Sequence, residues 1–327
     1  MKSQFNRSAI YIALGLSIAL VVGVLVGAKV VDERTELEPV AISPVPSDEA
    51  DSPECAAFVD ALPDSFQGHD RAKVAEPVPP GVAAWASDSV NSITARCGVD
   101  LPAQYTELAE TEDASGARWL PVRDMTPGSG LITWYTVDRS PVAALTTFEE
   151  GKPRGLDAAM EALDGDEHSP NGVPLAQLDE RAGGECAALD DALPTNPAEG
   201  YTRADKDGAV ETDTRGEVTL PENTAVWTAH RREPIVLRCG VEPPPGYTAG
   251  KRIQQVNDIP WFQDTTLAEG TTTGVWYALG RSTDIAVSVP QDTADSVLVK
   301  LSNAIAKAMP EETAPEATPR EAKEKEA

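Results

Sequence analysis

Six tryptophans occur in the chain, and they fall into three pairs at one constant offset. Trp85 and Trp227, Trp119 and Trp261, and Trp134 and Trp276 are each 142 residues apart, as are Cys97 and Cys239. The second cysteines lie in near-identical strings, Ala95-Arg96-Cys97-Gly98-Val99 and Leu237-Arg238-Cys239-Gly240-Val241. Rare residues agree in this way when a domain has been duplicated, so the chain must fold as two copies of one fold.

The first cysteines have their own matching strings, Glu54-Cys55-Ala56-Ala57 through Leu62-Pro63 and Glu185-Cys186-Ala187-Ala188 through Leu193-Pro194. The offset there is 131, so the second copy has gained 11 residues before Trp227. The polar stretch 203–217, with its Asp207-Gly208 and Arg215-Gly216 turn signals, is the expected insertion. Asp205-Lys206-Asp207-Gly208 begins like a calcium loop but lacks the remaining ligand positions, so it reads as a turn.

Copy one is expected over 52–165 and copy two over 183–309, joined by a polar connector, 166–182. Within each, the Cys-Ala-Ala string reads as a short helix closed by Leu-Pro. Ile93, Ala95, Cys97 and Val99 alternate with Thr94, Arg96 and Gly98, and Ile235, Leu237, Cys239 and Val241 with Val236, Arg238 and Gly240, which puts cysteine on the apolar face and arginine opposite. The strands at Leu131–Val137 and Thr273–Leu279 are apolar on both faces and should be central. A strand over Asp284–Val289 precedes a helix over Thr293–Ala308, striped by Val297, Leu298, Leu301, Ile305 and Ala308. Gly155–Leu163 is its shorter counterpart. The expected class is α+β: two tandem copies of a small antiparallel sheet flanked by an N-terminal and a C-terminal helix, preceded by one transmembrane helix.

That first helix is expected over 8–31, after a cytoplasmic N-terminus, 1–7. Ser8–Ala28 contains no charged residue, and its inner 19 residues span about 29 Å as a helix, a bilayer core. Lys2 and Arg7 precede it and Asp32, Glu33, Glu36 and Glu38 follow, which favours a cytoplasmic N-terminus and an exported remainder. Secretion after cleavage near Ala28 is the alternative, although signal-peptide apolar cores are usually shorter. The stretch 32–51 reads as a linker, and 310–327, lacking aromatic residues, as a disordered tail. The net charge is −26, and all 53 acidic residues lie beyond residue 31, which excludes nucleic acid as a partner.

Four cysteines at equivalent positions of an exported chain imply two intradomain disulfides, Cys55–Cys97 and Cys186–Cys239. Two cysteines per copy are too few for zinc, and no cofactor motif is present. His69, His168 and His230 have no counterparts in the other copy, which excludes a shared histidine-dependent site. Polar residues kept in both copies include Asp60/Asp191, Arg96/Arg238, Arg139/Arg281 and Ser140/Ser282. Arg238 and Arg281 could hold an anionic ligand, although pairing with structural acids, such as Arg96 with Asp60, is the commoner use of such arginines. The tryptophans are expected as core anchors rather than as a carbohydrate-stacking platform.

These residues resemble an actinobacterial family of small exported proteins of unknown function. Copy two carries the pattern more fully: Cys186, Leu193-Pro194, Ala225-Val226-Trp227, the run from Pro234 to Val241, Trp261, Gly280-Arg281 and Val287-Ser288-Val289-Pro290. Copy one departs at its strand end, Thr147-Phe148, and in its short last helix. The resemblance implies an envelope location and no particular reaction. The expected function is a membrane-anchored, non-enzymatic binding or scaffolding module whose partners are the lipid bilayer, through the N-terminal helix, and other envelope proteins. The alternative is a small-ligand or glycan sensor, or an envelope enzyme, using the arginines and acids of copy two.

Overall fold

Ser52 accepts a hydrogen bond from the Cys55 amide at 3.1 Å, and Pro53 occupies the first turn, so the first cysteine string begins as a capped helix. It does so in a computed structural model that describes residues 7–35, 39–45, 47–87, 92–126, 128–148, 151–181, 186–212, 215–248, 250–267 and 271–309. The expected tail, 310–327, lies outside the described residues, as do residues 1–6.

Helix α1 (Arg7–Thr35) contains one stretch, Tyr11–Val30, long and apolar enough to cross a membrane, a test that a signal sequence also passes. In copy one, α2 (Pro53–Ala61) is followed by β1 (Ser65–Phe66), β2 (His69–Ala72), β3 (Val82–Ala86), β4 (Ser92–Cys97), β5 (Glu112–Ala114), β6 (Ala117–Arg123), β7 (Ile132–Thr136), β8 (Arg139–Ser140) and β9 (Ala143–Thr147). The copy closes with α3 (Asp157–Met160) and β10 (Asp164–Gly165), which pairs with β8. Copy two contains α4 (Cys186–Ala192), β11 (Thr202–Arg203), β12 (Asp205–Lys206), β13 (Ala209–Thr212), β14 (Gly216–Thr219), β15 (Thr224–Thr228), β16 (Ile235–Val241), β17 (Gln254–Val256), β18 (Ile259–Asp264), β19 (Thr273–Ala278), β20 (Asp284–Pro290) and α5 (Ala294–Ala308).

The first sheet has the order β1-β2-β3-β4-β9-β7-β6-β5, and the second β11-β15-β16-β20-β19-β18-β17. From β3 and from β15 onward the two orders correspond strand for strand, which is the duplication seen as topology. The pleat places Ile285, Val287 and Val289 of β20 against Val297, Leu298, Leu301 and Ile305 of α5, as the alternation predicts. The strands expected to be central, β7 and β19, lie inside their sheets.

The inserted residues of copy two form a separate three-stranded sheet, β12-β13-β14. Its first hairpin turns through Asp207 and Gly208, both with positive φ, so Asp205–Gly208 is a turn rather than a calcium loop. Val210 and Val218 of this sheet pack with Val226, Val236, Val275 and Tyr277, on the face of the main sheet opposite α5. Copy two therefore buries both faces of its sheet. One consequence corrects the alternation expected for β16: the register shifts between Cys239 and Val241, at Gly240 with φ +78°, so Val241 turns to the second face while Cys239 stays on the first.

Two compact units emerge. The first comprises Met1–Asp100, Glu112–Trp119 and Gly130–His168, and the second Leu101–Thr111, Leu120–Ser129 and Ser169–Ala327. In the first unit, part of the stretch read as a linker is fastened to the sheet. Val40 pairs with Val74, Ile42 packs against Val82 and Ala84, and Arg96 donates to the Ser43 carbonyl at 2.8 Å. Ser47 Oγ donates to the Gly98 carbonyl. A Cβ added to Gly98 would lie 2.5 Å from the Ala50 nitrogen, so this close approach requires glycine. The linker expected over 32–51 is thus docked over 39–45 and 47–51: two apolar side chains, Val40 and Ile42, suffice where a sheet face awaits them, a fact that the Pro- and Glu-rich composition conceals.

Candidate functional site

The expected disulfides are both present, Cys55–Cys97 with Cα atoms 5.4 Å apart and Cys186–Cys239 at 5.8 Å. Each joins a first helix to a central strand on the core side. The tryptophans are core residues: Trp85, Trp119, Trp134, Trp227 and Trp261 are all at most 1% exposed, while Trp276 is partly buried against the same core. The indole N–H groups of Trp85 and Trp227 donate to the carbonyls of Pro63 and Pro194, at 2.9 and 2.8 Å. The Leu-Pro string and the first tryptophan of each copy are thus one structural unit.

Arg238 and Arg281 are both buried, and they do not meet. Arg238 donates to the carbonyls of Leu175, Ala176 and Leu178 at 3.0, 3.2 and 2.6 Å, and to Glu180 Oε1 at 2.7 Å. It clamps the former connector onto β16, a contact that Arg181 N donating to the Gly240 carbonyl and Glu242 N donating to the Asp179 carbonyl, both at 2.9 Å, extend. Arg281 donates to the Asp258 carbonyl at 2.9 Å, at the turn between β17 and β18. Neither lines a described cavity. Arg96 bonds Ser43, not Asp60, because it lies on the face of β4 opposite α2, where the segment 39–45 docks.

One retained pair escapes the constant-offset comparison. Arg71 lies over the Trp85 ring at 5.2 Å, and Arg203 over the Trp227 ring at 5.4 Å. Each arginine is the cross-strand neighbour of its tryptophan. The insertion that follows Arg203 changes the spacing, and only the short string Arg-Ala signals the equivalence. These are cation–π contacts that bolster the core, not ligand sites.

What the second unit does present is a cleft of 530 Å³, well within the range of small-molecule sites. Its floor is the second face of the sheet, with Val275 of β19 and Ser288 of β20. One wall is residues 103–106, and another is the connector from Asn171 to Gln177. These walls are tied together: Asn171 N donates to the Tyr105 carbonyl and Glu107 N to the Asn171 carbonyl, both at 2.8 Å. Tyr105, 1% exposed, is held by Arg215 of the insertion, whose guanidinium lies 5.0 Å from the ring centroid and donates to the Tyr105 hydroxyl at 2.6 Å. The insertion therefore both covers the sheet and positions the wall.

Three polar side chains give this cleft its chemistry. Gln104, 8% exposed, donates through Nε2 to Thr272 Oγ1 at 3.3 Å. Its Oε1, and the hydroxyl of Thr106 beside it, are buried without a hydrogen-bond partner among the described residues. Glu233 accepts a hydrogen bond from Thr272 Oγ1. Burial pushes its carboxyl up to about 7, against the lowering effect of the hydrogen bond with Gln104 and with some help from Asp292. Lone acceptors of this kind are costly unless something fills them. Sequence comparison of the copies passes over these residues because the positions 142 residues away from Gln104, Glu233 and Thr272 are Gly246, Asn91 and Gly130.

The histidines are all engaged at the surface or at edges: His69 with Ser87, His168 with the Arg139 carbonyl, and His230 with Glu110.

Two stretches of the chain, 14–166 and 156–314, match one family model, that of a protein of unknown function, DUF3515. No curated protein and no solved structure matches the chain.

Proposed function

Because the chain belongs to the DUF3515 family and carries its domain twice, we propose that it is a membrane-anchored extracytoplasmic binding protein, with the second copy holding a small ligand and the first serving as scaffold. The observation that carries this reading is the 530 Å³ cleft with buried, unfilled acceptors on Gln104 and Thr106. Apolar floor and few convergent polar groups are the general signature of a binding site. The location is supported by Tyr11–Val30, a helix long and apolar enough for a single span, by the Lys2 and Arg7 that precede it, and by two disulfides, which persist in oxidising compartments. The bilayer is then a partner through α1, other envelope proteins are further partners, and the acidic surface keeps nucleic acid away.

The binding is taken to be non-enzymatic. Glu233 has a hydroxyl and an amide for neighbours, but among the described residues no nucleophile with its own base accompanies it in the cleft. The cleft is preferred to a site built on Arg238 and Arg281 because these two donate to backbone carbonyls of two different segments.

Mass spectrometry of the full chain, purified from its own membrane in mild detergent, tests the reading. A small molecule should accompany the wild type and be lost in Val275→Trp, which fills the cleft. It should be kept in Thr133→Trp, the corresponding position of copy one. A molecule retained in Val275→Trp, or none in the wild type, counts against the proposal. Protease protection in intact cells, with the C-terminal domains digested from outside only, checks the orientation.

A further inference from the structure

The polar part of the cleft is one-sided in charge. No lysine, arginine or histidine lines it among the described residues, and Glu233 is its ionisable group. Thr272 and Gln104 both turn donors toward Glu233. Gln104 then has only its carbonyl oxygen, Oε1, left, and this atom is buried without a partner among the described residues. The ligand-facing groups thus include two acceptors, the Gln104 amide oxygen and the Glu233 carboxylate, linked through one amide. The lining also carries an aliphatic part, Val173, Leu175, Leu267 and Val275.

We propose that the cleft takes a small organic cation, an alkylammonium group donating to Gln104 Oε1 and the Glu233 carboxylate with its aliphatic body on Val173, Leu175 and Val275. The proposal rests on the cleft being the binding site and specifies its ligand class. An ammonium supplies several donors and no acceptor, which matches the acceptors present. It also supplies the countercharge that the ionised Glu233 lacks, since the nearby Arg232 is already paired with Asp292. An anionic ligand would meet Glu233 with no compensating cation, which burial makes costly. An alcohol could satisfy one acceptor and would leave the other empty.

Affinity should follow the ionisation of Glu233. The groups around it are Asp292, Arg232 bound to Asp292, Gln104, Thr272 and Tyr201, whose hydroxyl donates to the Glu233 carbonyl at 2.9 Å. Tyr201 stays neutral, because burial raises its hydroxyl further above its ordinary value. With Glu233 titrating at about 7, the ionised fraction falls roughly thirtyfold between pH 8 and pH 5.5.

Isothermal titration of the full chain in detergent with hexylammonium, hexan-1-ol and hexanoate provides the test, since the three probes share one apolar body and differ only at the head. Hexylammonium should bind at pH 8, roughly thirtyfold more weakly at pH 5.5, and hexanoate should not bind. Glu233→Gln and Gln104→Leu should each weaken it at least tenfold, and Glu233→Gln should remove the pH dependence. Val275→Trp should abolish it, with circular dichroism confirming the fold of each variant. Hexanol or hexanoate binding as well as hexylammonium, and lost in Val275→Trp, overturns the ammonium assignment while leaving the cleft as a binding site. Hexylammonium binding that survives Val275→Trp, or no binding by any probe, overturns the assignment too, and the co-purification experiment then judges the cleft independently.

Discussion

The two copies share a sheet order, a disulfide, buried tryptophans and an arginine over the first tryptophan, yet they differ in how fully they cover the second face of the sheet. In copy one, Thr133 and Tyr135 of β7 are only half-buried on the face away from the helices. Their counterparts Val275 and Tyr277 in β19 are buried, under the inserted β12–β14 sheet and the connector. The closing helices differ in parallel, four residues in α3 against fifteen in α5. Everything common to both copies is framework. The cleft lies in the second unit and combines the sheet and insertion of copy two with the connector and with segment 101–111, which copy one contributes and Arg215 holds. In copy two a whole layer of sheet and connector covers that face, whereas in copy one only the docked segment 39–45 covers part of it.

The largest effect expected to test this comparison comes from the shared framework. Replacing both cysteines of a pair by alanine should cost about 4 kcal/mol in either unit on the chain-entropy model. The unit with the four-residue closing helix should then fail to fold cooperatively, whereas the other should keep a weakened transition. Urea unfolding followed by near-ultraviolet circular dichroism distinguishes the two, and identical responses would break the comparison.

Next in size is the equivalent arginine pair. Arg238→Met strands several backbone carbonyls that Arg238 now bonds, and should cost about 2–4 kcal/mol. Arg96→Met removes one exposed bond to Ser43 and should cost about 1 kcal/mol or less. Similar losses from both would show that the covered face is not what distinguishes the copies.

The pH response should be smaller and confined to the second unit. Glu233 is raised in the folded state from an ordinary 4.5 to about 7. Its stabilising contribution, from the protonated form, is therefore present below about pH 4.5 and lost as the pH rises through 7. The second unit should weaken by about 2–3 kcal/mol between pH 5 and pH 8 without ligand. Glu233→Gln should flatten that slope in chemical denaturation curves, and an unchanged slope would remove Glu233 as its source.

Smallest is the effect of Tyr277→Phe. The Tyr277 hydroxyl is buried without a hydrogen-bond partner among the described residues, and burial together with Asp264 and Asp284 pushes it up to about 12. Removing it should cost nothing and could add up to about 1 kcal/mol of thermal stability. Tyr135→Phe in copy one should be neutral. A clear loss in Tyr277→Phe would sharpen the comparison differently, by pointing to a polar role for the covered face.

Legibility in the sequence followed the range of the interactions. The α5 stripe from Val297 to Ile305, the β20 alternation and the Asp207-Gly208 turn are local, so periodicity and turn chemistry reach them within a few residues. The half-buried strand pattern held in β4, where one face stays half-buried, and misled in β16, where a bulge at Gly240 and a second layer bury all seven residues. The docking of Val40 and Ile42 was hidden because two apolar residues in a Pro-rich stretch have no period to reveal.

By itself the sequence determined the duplication, the cysteine pairing, the core role of the tryptophans and the apolar span near the N-terminus, because these depend on identity and spacing along the chain. Only the tertiary structure decided that Arg238 is a buried clamp, that the connector is a wall, and that Gln104 and Thr272, 168 residues apart, meet beside Glu233. The physical reason is that burial of a polar group depends on what covers it. In copy two the cover comes from an insertion and a connector whose own residues carry no repeating pattern.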